Sequence, residues 1–192
     1  MSEFEEGLEA AGFRVRAAAF LVDYLVIIVL MIVGAFLCAF FGTIIGDSRL
    51  VAAIEKDTRG VGWLAGVVTV IAYHTVFVAA TGSSIGRRLL GLQVVNMTPG
   101  APVTFTEALA RSAGTIIDSF FFGMVAYNAM SKSPEQQRLG DEWADTRVVR
   151  RRSLPPAQRT HGFTMIAGTI AAVCVTLMCG ALQVVAEYLL MK

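Results

Sequence analysis

An apolar run from residue 17 to residue 45, AAAFLVDYLVIIVLMIVGAFLCAFFGTII, limits what this chain can become more than any other feature. Roughly 20 helical residues, rising about 1.5 Å each, cross a bilayer, so the run has length to spare. Glu3, Glu5, Glu6 and Glu9 stand ahead of it, where a secretory leader needs basic residues. The expectation is a spanning helix rather than a cleaved signal peptide. Its first third holds one carboxylate, Asp23. An ionised carboxylate facing lipid is costly, so Asp23 should face the protein interior and take partners there.

Composition agrees with a membrane setting. The chain has 192 residues, 55% hydrophobic and 16% charged, and a mean hydropathy of +0.63; these values lie on the apolar side of soluble domains. The net charge of +1 says nothing about partners. Cys38, Cys174 and Cys179 all lie in apolar runs, and their spacing matches neither a disulfide frame nor a metal site. Buried reduced thiols are expected, with no metal and no cofactor.

Two further segments are long enough to span: VGWLAGVVTVIAYHTVFVAAT at 61–81 and FTMIAGTIAAVCVTLMCGALQVVAEYLL at 163–190. A fourth, EALARSAGTIIDSFFFGMVAYNAM at 107–130, carries Arg111, Asp118 and Asn128 and is amphipathic. With the amino terminus cytoplasmic, the loop 46–60 lies outside, its Asp47, Glu55 and Asp57 balanced by Arg49, Lys56 and Arg59. Arg87 and Arg88 then lie inside. A full crossing by 107–130 would export Lys132, Arg138, Arg147, Arg150, Arg151, Arg152 and Arg159, against the positive-inside rule. A re-entrant or membrane-surface helical hairpin, broken near Gly123, keeps them in the cytoplasm and leaves the carboxy terminus external. GLQVVN (91–96) and TRVVRR (146–151) are short β-branched runs that each need a partner, and only this topology places them on one side. The fold class expected is an all-α polytopic bundle of three transmembrane helices plus that hairpin, with these two runs as candidates for a short cytoplasmic β-pairing.

Arg16 precedes Asp23 by two helical turns, about 10 Å along the axis, and RSAGTIID repeats the spacing in Arg111 and Asp118. A weak internal duplication is one reading of the repeat and coincidence the other. Arg16 cannot reach Asp23 directly, so Arg111 is the expected partner of Asp23, with Arg16 at the interface near phosphate groups or Asp118. Such a buried network either fixes helix packing or forms a cation or proton path. His74, beside Tyr73, is a packing residue or a proton relay. Glu187 is expected to reach the interface near its helix end.

GSSIGRRLLGLQVV fits neither a P-loop nor a dinucleotide fingerprint, and reads as a cytoplasmic turn presenting Arg87 and Arg88 to lipid headgroups. Arg150, Arg151 and Arg152, in a basic run abutting a transmembrane segment, read as further headgroup contacts rather than a nucleic-acid patch. No Ser-His-Asp or HExxH pattern occurs, so no enzyme is expected.

Three separated motifs then stand in order. RAAAFLVD has Arg16, Ala19 and Asp23 at intervals of three and seven, followed by GSSIGRRLLGLQVV and by RLGDEWADTRVV. In these the chain resembles the RDD family of bacterial membrane proteins, named for an arginine and two aspartates. The resemblance covers residues 12 to about 150, gives Asp141 the second aspartate position and Thr146 the threonine, and implies a compact inner-membrane protein. Cation/proton transport has been proposed for some members. Gly140 departs from the pattern, which commonly has a histidine or larger residue there, and this weakens a hydrogen-bonding role at that position.

The expected organisation is an acidic segment at 1–12, an RDD-like membrane domain at 13–150, a basic linker at 151–162 and an additional transmembrane helix at 163–192, beyond the family core. Arg16, Asp23, Arg111, Asp118 and Asp141 are the candidate polar cluster or ion site. Two functions compete: a non-catalytic subunit or assembly component of a larger membrane complex, and a cation/proton-coupled secondary transporter. Expected partners are the lipid bilayer and a membrane protein or further copies of the chain. Small residues such as Gly34, Gly62, Ala65, Gly66, Gly168, Ala172 and Gly180 allow close helix packing in either case.

Overall fold

The computed structural model describes residues 7–47, 52, 61–118, 120–159 and 162–190. Glu3, Glu5, Glu6, Arg49, Glu55, Lys56, Asp57, Arg59, His161 and Lys192 lie outside the described residues. In chain order the elements are α1 (Phe13–Ile45), α2 (Val61–Thr81), α3 (Ile85–Leu89), β1 (Leu92–Asn96), α4 (Phe105–Asp118), α5 (Phe120–Lys132), α6 (Leu139–Trp143), β2 (Thr146–Arg150) and α7 (Gly162–Leu190). Among the described residues, α1, α2 and α7 are the three single helices long and apolar enough to cross a membrane.

These helices are apolar around their whole circumference, so hydropathy alone does not say which side faces inward. On α1 the buried residues are Ala19, Asp23, Ile27, Gly34 and Gly42, mostly one or two turns apart and so on one stripe. Leu21, Leu25, Val29, Ile32 and Phe36 stay exposed on the faces left to lipid. The carboxylate therefore occupies an inward position, as its desolvation cost requires. α7 packs against both α2 and α1. Gly34 of α1 meets Leu177, and Gly168 of α7 lies against Thr81. Gly66 and Gly180, by contrast, have open space where a Cβ would stand. The last helix is thus part of the intramolecular bundle. Its Glu187 is 1% exposed, which corrects the expectation that it reaches the interface. All three cysteines are free, but Cys174 is exposed and Cys38 and Cys179 are half-buried, which corrects the expectation of buried thiols.

β1 and β2 pair antiparallel, Leu92 opposite Arg150 and Asn96 opposite Thr146. The other edge of β2 is used as well: the Ala11 amide donates to the Val148 carbonyl at 2.9 Å and the Arg150 amide to the Glu9 carbonyl at 2.8 Å. Leu92, Val94 and Val148 pack with Ala11, Ala19 of α1, Val78 of α2 and Ala108 of α4 in one core cluster. The small sheet is thereby fixed as a cap on one end of the bundle.

The α4–α5 pair starts and finishes at that cap. A reciprocal capping box opens α4: Thr104 Oγ1 accepts from the Glu107 amide at 3.3 Å, and Glu107 accepts from the Thr104 amide at 2.8 Å. Glu107 also takes the Asn96 side chain of β1 at 2.9 Å. The axis then turns by 114° between the two helices. Gly123, at φ +83°, supplies a left-handed backbone at the bend that side-chain-bearing residues resist. With 14 and 13 residues, each helix is about 20 Å long, short of the roughly 30 Å of a hydrocarbon core. The segment is a bent hairpin with both ends on one side, not a third straight crossing.

Candidate functional site

Two buried carboxylates organise the capped end of the bundle. The first, Asp23, is fully buried. Three donors reach it: the Tyr73 hydroxyl of α2 at 2.9 Å, the Ser84 hydroxyl at 2.5 Å and the Gly86 amide at 2.8 Å. Ser84 is also the N-cap of α3. The carboxylate therefore staples the turn after α2 onto α1. The turn can come this close because position 86 is glycine. A Cβ there would strike the Ala19 carbonyl and lie 3.0 Å from the Asp23 carboxyl carbon.

The second, Asp141, is also fully buried, within the short α6. It forms an ion pair with Arg16 of α1, a second with Arg111 of α4 at 2.9 Å, and a longer one with Arg138 at 3.5 Å. As the third residue of α6 it also accepts the Arg138 amide at 3.4 Å, closing the helix start. Burial works to raise the Asp141 pKa, but the charges of Arg16, Arg111 and Arg138 outweigh it and hold the group below the usual carboxylate range. Thr146 Oγ1 accepts from Arg111 at 3.1 Å, so the threonine of the third motif completes that arginine's setting. Asp118 stands beside the cluster, 3.4 Å from Arg138.

Several expectations change here. Asp23 is not paired with Arg111, because α4 carries that arginine against α6, where Asp141 takes it. Arg16 pairs with Asp141 rather than Asp118, and also donates to the Gln136 carbonyl at 3.0 Å. The two arginines of the repeated Arg/Asp spacing converge on a single carboxylate, while their companion aspartates go to separate partners. Gly140 is no weakness: α4 and α6 cross so closely that a Cβ on it would stand 2.6 Å from the Arg111 carbonyl, and one on Gly114 would stand 2.5 Å from the Gly140 Cα. A larger residue would push Asp141 away from its arginines.

Of the arginines expected at lipid headgroups, Arg87 is only 8% exposed, folded under the turn that Asp23 holds. Arg88 is half-buried, as are Arg150 and Arg151. Arg150 approaches Glu9 at 3.6 Å, and the exposed Arg152 pairs with the same carboxylate at 2.8 Å. His74 is buried, its ring 5.9 Å from Phe20 and 5.1 Å from Tyr73 between centroids. Neither of its nitrogens finds a hydrogen-bond partner among the described residues. Sequence reasoning did not single out Arg138, Ser84 or Tyr73 as cluster members. A basic residue three before the aspartate, and a serine directly before IGRRL, were the available signals.

Comparison with known proteins places the RDD family over residues 10–145. No curated protein and no solved structure matches the chain.

Proposed function

The chain belongs to the RDD family of membrane proteins, and on that footing we propose that it is a non-catalytic integral-membrane subunit or assembly component of a larger complex. Its seat is the bacterial inner membrane. The observation that carries this reading is the full use of two of the buried carboxylates, Asp23 and Asp141, in holding the fold. Asp23 has three donors and Asp141 three guanidiniums, each with no exposed surface. An ion carrier needs a carboxylate that can exchange partners, and fully paired charges suit a packing role better.

The second reading, a cation/proton-coupled transporter, draws on His74, whose ring touches Tyr73, which in turn donates to Asp23. Asp23→Asn separates the two. Asparagine keeps the shape and, with the Tyr73 and Ser84 hydroxyls free to reorient, most of the hydrogen bonds. Under the subunit reading Asp23→Asn costs about 1 kcal/mol and still retains a stoichiometric membrane partner in a mild-detergent pull-down, and proteoliposomes show no proton-coupled cation flux. Asp23→Leu strands three donors and costs about 3 kcal/mol or more. Flux by the wild type that vanishes in a normally expressed Asp23→Asn would overturn the subunit reading in favour of transport.

Orientation follows from charge. The capped end gathers Arg87, Arg88, Lys132, Arg138, Arg147, Arg150, Arg151 and Arg152, so it is assigned to the cytoplasm together with the amino terminus, and the end of α7 to the outside. The check uses single cysteines in a cysteine-free background. Lys132 and Ala157 are exposed and serve as the sites at the capped end. A membrane-impermeant thiol reagent on intact cells should label only a cysteine appended after Lys192. Labelling at positions 132 and 157 with protection of the terminus would reverse the orientation.

A further inference from the structure

Beside the Asp141 cluster lies a cavity of about 390 Å³, lined on its polar side by Arg16, Arg87, Asp118 and Arg138 and on its apolar side by residues such as Phe20 and Met130. The charges around it do not balance. Arg16, Arg87, Arg111 and Arg138 face Asp23, Asp118 and Asp141, and Asp23 is already occupied by its three neutral donors. Among the described residues, Arg87 is the one of these four arginines with no ion pair. It is buried, it lines the cavity, and its Nη1 has no hydrogen-bond partner among the described residues. Burial, then the neighbouring Arg138, brings its pKa down to about 10, the response of a cation held without enough negative charge.

A second cavity adjoins this one. Phe20 and Thr115 line both, and the wall of the second, of about 560 Å³, is mainly apolar: Tyr24, Ile28 and Met31 of α1, Trp63 and Val67 of α2, and Ile116 of α4. From Phe20 to Met31 this wall follows α1 for about 16 Å toward the membrane interior. α1 and α2 pack mainly against α7 and make little contact with each other, which leaves the groove between them. The arginine cavity is at the end where α1 begins and α2 finishes, the level of the headgroups.

We propose that these two adjoining cavities together form a slot that binds one anionic membrane lipid, its phosphate against Arg16, Arg87 and Arg138 and one acyl chain along the apolar groove between α1, α2 and α4. The chemistry recognised at the polar end is a phosphate monoanion or dianion, and the groove beyond it selects a lipid over a soluble phosphate. A charged headgroup among buried guanidiniums forms charge-assisted hydrogen bonds that bulk solvent screens poorly. The proposal stands whether the protein is a subunit or a transporter.

The test is made on the full chain in neutral detergent, comparing Tm with added phosphatidylglycerol, phosphatidylcholine or inorganic phosphate, for wild type, Arg87→Gln, Arg87→Lys and Arg152→Gln. Phosphatidylglycerol should raise Tm by about 4 °C or more in wild type and in Arg152→Gln, which loses an exposed charge away from the slot. Arg87→Gln should lose most of that rise and Arg87→Lys keep part of it. Native mass spectrometry of wild type should show one phosphatidylglycerol retained per chain, a measurement independent of how the variants fold. An equal rise with phosphatidylcholine, an undiminished rise in Arg87→Gln, or wild type retaining no lipid would each overturn the proposal. A rise with inorganic phosphate matching that with the lipid would overturn the lipid assignment and leave a site for soluble phosphate.

Discussion

Replacing Asp141 with leucine is expected to leave little or no folded protein in the membrane. The side chain has no exposed surface, and Arg16, Arg111 and Arg138 would lose their shared counter-charge at once while remaining buried. Removing one partner of a buried pair costs about 3–5 kcal/mol, already a large fraction of the stability of an ordinary domain, and here Arg16 and Arg111 are both stranded while Arg138 keeps Asp118. Asp141→Asn should fall between leucine and wild type, since it can still accept hydrogen bonds. Asp118→Asn should be mild, because the ion pair Asp118 makes among the described residues is a long one, to Arg138 at 3.4 Å. Membrane yield and gel filtration in detergent read the order; a monodisperse Asp141→Leu at wild-type yield would refute the arrangement. The pH dependence has a defined sign. The folded pKa of Asp141 is depressed, so its contribution is complete above the unfolded carboxylate value of about 3.9 and is lost only as the pH falls through the lower folded value. This cluster should therefore survive mild acid.

Gly86→Ala is expected to destabilise the protein about as much as Asp23→Leu, although it adds one methyl group and removes no charge. The new Cβ meets backbone, the Ala19 carbonyl, which cannot rotate away. To relieve the clash, α3 must lift from α1, and the Gly86 amide and Ser84 hydroxyl leave Asp23 with it. Overpacking alone costs about 1–3 kcal/mol, and the loss of the carboxylate's donors adds to it. Gly66→Ala is the matched control, since nothing lies within 4 Å of its added Cβ. A drop in detergent Tm for the first and none for the second is the expected pair of results; equal Tm values for both would remove the argument that Gly86 sets the approach of the turn.

The spanning helices, the hairpin bend and the strand pairing were legible because each depends on local or statistical properties: length of apolar run, a charge bias across the bilayer, and β-branched runs needing an edge. The partners of the charges were not. Arg111 is the expected partner of Asp23 because it lies in the other partly polar membrane segment, whereas a hydroxyl, a phenol and a backbone amide reach Asp23 first because the turn after α2 folds back over α1. The inward stripe Ala19, Asp23, Ile27 was hidden by helices that are apolar on every face. Gly140 stands as a departure in the motif because a sequence does not display how closely two backbones cross. Arg87 looked like a surface charge in a polar turn, and only the stapling of that turn by Asp23 turns it inward.

The joining of residues 9–11 to β2 bears on the order of assembly. Ala11 and Glu9 take their backbone partners from Val148 and Arg150, and Arg16 takes its carboxylate from a residue 125 positions later. As the chain leaves the ribosome, α1 and α2 are synthesised long before anything exists to tie down the segment that leads into them. Contacts of such high sequence separation close slowly and late. The cap is thus a completion step: residues 9–11 acquire their native surroundings only when residue 150 has been made.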